Sequence, residues 1–526
     1  MIKKWLVTMS LSIFLLTGLS TSSFFLTGYL TQVIEEKNHT EQQLNFGISE
    51  NNEAALFYAW KKSEKHSQNW QTLAKKLAKT KGEVAYLLAE FYLNKKPSTK
   101  QSSGKLEQAI LWYQQAIRLN YFKASIALAN LYFYQGDVLE TQKLLARLNV
   151  MELPHNQLDD MAMAAIILTT KLAISEGDTA VVNSLLSKFL TVLQADAAGT
   201  LLLQKITRYQ VQPSIDEASV DSKKSHAICP NSIQIFATNL LHLAQAERLV
   251  KSFESQPLND LVCFSAVRYM PLPTLSCSSD KQNAILCDES KLHQVAESVS
   301  ARYIAIMLPE GGANVHFGVL YFDAEDSVDI VEHEISHLLG FIDEYPLAKG
   351  HIKCLTNQQE VSALNIAVLQ SRYKGERSLI RASILKQLAW AEQIKESTPI
   401  LQIKDGSSQK NQYWQLGTPE KYDDEVGVFR SQTCDNNTAK ERSYFTAFKP
   451  LSGRTKMQYD ELSFPKQYIE LLHKNFQKFL MPSFHYNIAL AYYQQNNIAE
   501  ANYWLEKAAS WESNARRRKK VRQGDF

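Results

Sequence analysis

At 526 residues the chain is too long for one compact domain, and roughly three or four units are expected. A hydrophobic fraction of 45% excludes a wholly disordered chain, and 57 basic against 54 acidic side chains leave no global field to hold nucleic acid. Nineteen glycines and fourteen prolines exclude collagen-like and low-complexity designs and lean towards helix, so any chemistry must be local.

Lys3 and Lys4 precede an uncharged stretch from Trp5 to Leu30, and no charge follows before Glu35. A basic start ahead of an apolar run reads as a signal peptide or a membrane anchor over 1–30. Ser20 and Ser22 offer small residues for cleavage, whereas retention of residues 5–30 would hold the chain in the inner membrane with the lysines inside. The remainder is then extracytoplasmic, in the periplasm or cell envelope, with secretion as the second expectation.

Export gives the cysteines a meaning. Cys229, Cys263, Cys277, Cys287, Cys354 and Cys434 are even in number, as disulfides require, and pairing of neighbours suggests Cys277 with Cys287 and Cys354 with Cys434.

Residues 31–211 carry alanine-rich helical periodicity. Within them YLLAEFY at 86–92 and IALANLY at 126–132 superimpose at an offset of 40, with Ala109, Trp112, Tyr113 and Ala116 on one helical face between them. Small residues alternating with aromatics let helices approach and stack, and the segment resembles tetratricopeptide or Sel1-like repeats. That resemblance implies contact with a protein partner and no chemistry of its own. A polar linker follows at 212–228. From 229 to 475, strand-like runs at 232–238, 262–270, 301–308 and 314–322 alternate with helical patterns, which predicts a mixed α/β domain. Residues 476–511 include YNIALAYYQQNNIAEANYWLEKAA, again similar to a tetratricopeptide hairpin, which must dock on a neighbouring helix. The tail at 512–526 holds Arg516-Arg517-Arg518-Lys519-Lys520, a charge run expected to be a solvated end.

The strand run at 314–322 leads into DSVDIVEHEISHLLGFIDEY, residues 326–345. Asp326 or Ser327 can cap a helix whose apolar stripe includes Val331, Ile335 and Leu338. His333 and His337 stand four apart, on one face of that helix, where two imidazoles can bind one zinc with Glu334 beside them as general base. Gly340 can end the helix in a left-handed conformation, so that Asp343 returns as a third ligand; Glu344 is its competitor.

HEISHLLGFID, from His333 to Asp343, resembles the extended zinc motif of the metzincin metallopeptidases, with Asp in place of their usual third His. TKMQY, Thr455 to Tyr459, resembles their methionine turn, with Thr replacing Ser. The resemblance implies an α+β zincin-like core flanked by helical repeats. It implies one Zn²⁺ per chain on His333, His337 and Asp343, Met457 as the floor of the site, and Tyr459 as a phenol near the metal. It also makes the strand at 314–322 an edge that pairs with an extended peptide. Asp343-Glu344-Tyr345 is also similar to the ending of the motif in bacterial immunoglobulin-A-type metallopeptidases, which space it differently. The 110-odd residues between Asp343 and Met457 require an insertion at about 350–445, and Lys456 puts a cation beside the expected metal.

These features predict an exported zinc endopeptidase, with Glu334 and Tyr459 catalytic and a peptide or protein as substrate. The alternative is a non-catalytic envelope scaffold carrying a degenerate or structural zincin module. A cleft beside three convergent ligand atoms separates the first from the second. His351, three residues ahead of Cys354 in an H-x-x-C pattern, and His316 on the edge run are weaker candidates, better read as surface residues.

Overall fold

A computed structural model of the chain describes residues 25–94, 102–153, 159–212, 229–278, 284–403, 413–436, 445–475 and 477–526. The expected signal or anchor segment falls outside these residues up to position 24, as does the linker at 213–228. Among the described residues no helix is long and apolar enough to cross a membrane. The architecture is α-rich with small mixed sheets, and it divides into two compact units. The first comprises residues up to Leu172 together with Leu185–Gly199; the second comprises Ala173–Ser184 and Thr200–Phe526.

The first unit is helical. Thr40, Asn52, Ser67 and Asp137 each open a helix by accepting a backbone N–H that the helix itself leaves unpaired. The residues matched at an offset of 40, Leu88 with Leu128 and Ala89 with Ala129, are buried in one core with Tyr113 and Ala116 of the intervening helix. Alanines there bring neighbouring helix axes close. The folded part begins before the expected boundary at 31, because Leu30 and Ile34 are buried against Ala55.

The second unit is built on a sheet of six strands: β1 Ser232–Ala237, β2 Cys263–Phe264, β3 Arg268–Tyr269, β4 Tyr303–Leu308, β5 Asn314–His316 and β6 Val319–Asp323. Its order is β2-β1-β4-β6-β5, with β3 also paired to β1; all neighbours are parallel except β5, which runs antiparallel to β6. Every residue of β1 and β4 is buried, as strands covered on both faces must be. One face packs Phe236, Ile304 and Ile306 against Tyr486, Ile488 and Trp504 of the helical hairpin at Phe484–Gln494 and Ile498–Ser510. The helices Leu240–Phe253 and Val328–Leu338 pack against the same sheet.

Three expectations change. The run at 314–322 is two strands, because Phe317 and Gly318 turn the chain with positive φ; only β5 is an edge, while β6 lies inside. The hairpin at 476–511 docks on the sheet as well as on the helix that follows it, since its apolar stripe completes the sheet's core. The basic tail is a third helix, Ala515–Gln523, whose Val521 is buried in that core and whose Arg517 donates to the carbonyls of Lys478 and Leu480. Residues 173–184 and 200–211, expected among the repeats, belong to this unit: Tyr269 donates to the Ile174 carbonyl and Tyr209 to Glu247.

All six cysteines are paired, as Cys229–Cys263, Cys277–Cys287 and Cys354–Cys434. Three disulfides belong to an oxidising, extracytoplasmic compartment. The region 350–445 contributes one three-stranded antiparallel sheet and two strands of a second, in which Ala367–Gln370 pairs with Phe445–Lys449.

Arg302, 3% exposed, ties these parts together. It pairs with buried Glu512 at 2.5 Å, donates to the carbonyls of Met481 and Trp511, and donates to the Tyr303 hydroxyl. Tyr303 in turn donates to the Leu338 carbonyl, at the end of the helix carrying the histidines. Glu512→Ala leaves that guanidinium buried without its carboxylate and should cost about 3–5 kcal/mol, read as a lower urea midpoint. A midpoint equal to the parent's would show that the pair is dispensable.

Candidate functional site

Ser327 caps the helix Val328–Leu338 by accepting from Ile330 N, and Val331, Ile335 and Leu338 bury one stripe of it. His333 and His337 project from it with ring centroids 4.9 Å apart. Gly340 then takes φ +104°, and a side chain there would meet Phe479 at 2.6 Å, so both conformation and space require glycine. The chain turns back and brings Asp343 to the histidines. Its Oδ1 lies 3.1 Å from Nε2 of His333 and 3.1 Å from Nε2 of His337.

The other ring nitrogens are committed. His333 Nδ1 donates to the carbonyl of Lys456 at 2.8 Å, and His337 Nδ1 to the carbonyl of Phe341 at 3.1 Å. With protons on Nδ1, neutral imidazoles aim two Nε2 lone pairs at a carboxylate lone pair, an arrangement that needs a cation between them. A proton can serve: burial opposes a charged His337, yet the Asp343 carboxylate outweighs it and lifts that imidazole to about 9. Burial alone would raise the Asp343 carboxyl, but the facing imidazoles of His337 and His333 hold it well below the usual range. A metal ion also fits. Two imidazoles and a carboxylate are a donor set that zinc takes, and donors on bonds of about 2.0 Å stand roughly 3.3 Å apart in a tetrahedron, close to the separations here. Glu334 Oε comes within 4.8 Å of both imidazoles.

Glu344 plays a different part. It is buried, pairs with Lys449 at 2.8 Å, and accepts from Asn365 and from Tyr468. Its backbone N–H donates to the Met457 carbonyl. The loop carrying Asp343 is thus held from both sides, for Asn365 also bonds both backbone groups of Ile342 and Thr433 donates to the Asp343 carbonyl. Asn365, Thr433 and the Cys354–Cys434 bridge all come from the region expected as an insertion, and it holds the Asp343 loop in place.

Met457 is fully buried beneath the helix, its sulfur 2.9 Å from Ser336 Oγ. The neighbouring Lys456 turns its ammonium away to Asp329 at 2.7 Å and to Glu332 at 2.8 Å, the latter an ion pair outside hydrogen-bond angles. The cation next to the site is therefore neutralised by these two carboxylates. Tyr459 is 38% exposed, with Arg454 over its ring, and is not among the residues lining the hollow in front of His333 and Glu334. The phenol that does line it is Tyr345, whose ring stacks on His333 at 6.3 Å. Burial first, then the Asp343 charge, pushes that phenol far up.

The hollow, of about 250 Å³, borders His333 and Glu334 and is completed by Asp326, Asp460, Ile330 and Ala313. Burial, helped by Asp343 and Asp460 against the pull of the imidazoles, raises the Glu334 carboxyl above its ordinary value. Of the weaker candidates, His351 accepts from Lys353 N in a short turn, Cys354 is in a disulfide, and His316 faces Glu289 at 3.2 Å. Asp326, Tyr345 and Asp460 were not foreseen as site residues; their only signal is adjacency, Tyr345 to the ligand loop and Asp460 to the methionine segment.

No known protein family, curated protein or solved structure matches the chain. Residue geometry therefore carries the functional argument. Glu344→Ala should strand the buried Lys449 ammonium and cost about 3–5 kcal/mol by urea unfolding. A variant as stable as the parent would mean that Glu344 does not hold the loop.

Proposed function

We propose that the chain is an exported zinc-dependent endopeptidase that hydrolyses peptide bonds of a protein substrate. The observation that carries this reading is the convergence of His333 Nε2, His337 Nε2 and Asp343 Oδ1, with the buried Glu334 alongside and a hollow in front. It is the arrangement expected of a zincin-type site, in which a structural zinc would have no need of a base. Zinc held by His333, His337 and Asp343 would supply Lewis acidity, making water a nucleophile at neutral pH and polarising a carbonyl.

The protein's own groups do the rest. The carbonyls of Lys456 and Phe341 keep protons on Nδ1 of the two histidines, so that Nε2 is free to ligate. Glu334 takes a proton from the attacking water and returns it to the leaving amine; its raised affinity for protons suits that exchange. Tyr345, stacked on His333 and lining the hollow, is the phenol at the site in place of Tyr459, from which an oxyanion role was first expected. Edge strand β5, with Ala313 before it bordering the hollow, is the place for an extended substrate to add a strand. In the helical unit, exposed Leu111, Phe122, Tyr134 and Leu139 supply apolar surface of the kind that a protein partner covers.

The zinc-loaded protein should cleave members of a peptide library, and Glu334→Ala should lower that rate by about 10²–10⁴-fold while retaining one zinc per chain. Asp343→Ala should lose the zinc itself, measured by elemental analysis after dialysis. Hydrolysis by Glu334→Ala at the parent's rate would exclude this mechanism.

A further inference from the structure

We propose that the hollow beside Glu334 receives a lysine or arginine side chain of the substrate, held by the carboxylates of Asp326 and Asp460, so that the enzyme selects basic peptides. This rests on the peptidase reading and names its substrate class. The lining carries three carboxylates, Asp326, Glu334 and Asp460, and no lysine or arginine among the described residues. The nearby cations are engaged elsewhere: Lys456 is buried against Asp329 and Glu332, and Arg454 lies over Tyr459. Adding Asp343 makes four carboxylates, and against one divalent ion two negative charges remain in excess.

Geometry places these charges at a ligand space, and the electrostatics of Asp326 agree with it. Glu334 is only 8% exposed, lines the hollow, and accepts no hydrogen bond among the described residues. Burial pushes the Asp326 carboxyl up to about 6, against the lowering hydrogen bond from Asp323 N and with smaller help from the carboxylates of Asp323, Glu334 and Asp460. Asp326 uses one oxygen to accept from Asp323 N, which fixes the carboxylate's position. A hollow of about 250 Å³ is smaller than the ordinary pocket of a drug-sized ligand and suits one long side chain. Ile330 and Ala313 offer apolar wall to an aliphatic stem, and Asp326 and Asp460 in the same lining offer carboxylates to its charged end. Because Ala313 directly precedes β5, a peptide added to that edge passes the hollow with its side chains in reach.

The test uses the zinc-loaded full chain and paired peptides that differ only in lysine or norleucine at each position around the cleaved bond. One position should show kcat/KM higher for lysine by about tenfold or more, falling as salt is raised. Asp460→Asn and Asp326→Asn should each shrink that ratio, and Asp460→Lys should turn the preference towards glutamate. A readout without turnover is calorimetric binding of the same peptides to metal-stripped protein at low salt, where the lysine peptide should bind more tightly and Asp460→Asn should remove the difference. Cleavage with equal rates for lysine and norleucine would overturn the inference and leave the peptidase reading standing. Two tightly held metal ions per chain would overturn it too, because the carboxylates would then hold a second cation. Absence of cleavage for every peptide, with no difference in binding, would remove both.

Discussion

The hydrogen bond from His333 Nδ1 to the carbonyl of Lys456 is the constraint on which the site depends. It joins a helix to a turn more than a hundred residues later, and it decides which imidazole nitrogen faces Asp343. A backbone carbonyl is a fixed acceptor and cannot donate, so it admits one tautomer only. The same turn places Met457 under Ser336 and offers the Met457 carbonyl to Glu344 N. One short segment therefore orients a histidine, floors the site and anchors the loop that bears the facing carboxylate.

Around that joint the structure uses buried charge with little waste of position. Glu344, next to Asp343, is tied to Lys449, Asn365 and Tyr468, and so its neighbour is free to face the histidines. Lys456 is drawn to Asp329 and Glu332, which keeps its charge off the imidazoles. Arg302 and Glu512 do comparable work at the far end of the helix, where Leu338 and Met481 meet. Such pairs are costly to break and weak as net stabilisers, so their value here lies in fixing register among elements distant in sequence.

Much of the site was legible because its signals are local. Four-residue spacing puts His333 and His337 on one helical face, glycine marks the turn after it, and Asp343 falls where that turn returns. Nearest-neighbour pairing of cysteines also gave two of the three disulfides. What sequence could not show depends on tertiary contacts. Whether Asp343 or Glu344 faces inwards turns on Asn365 and Lys449, and the choice of Tyr345 over Tyr459 turns on which phenol stacks on His333. Periodicity described the C-terminal hairpin well as helices, yet said nothing of the sheet it covers, since an apolar stripe does not name its partner, and the basic tail read only as a charge run because its helix carries a single buried apolar residue, Val521. The unit boundary was misplaced for the same reason: residues 173–184 and 200–211 have helical texture throughout but bond to the sheet's side of the chain.

The central claim is that His333, His337 and Asp343 together hold zinc. Zinc K-edge X-ray absorption on the metal-loaded chain tests it most directly. Two imidazole nitrogens at about 2.0–2.1 Å with oxygen completing the shell, and no sulfur, would agree with the proposed ligand set. A sulfur shell, three imidazoles, or failure of the chain to retain zinc would contradict it.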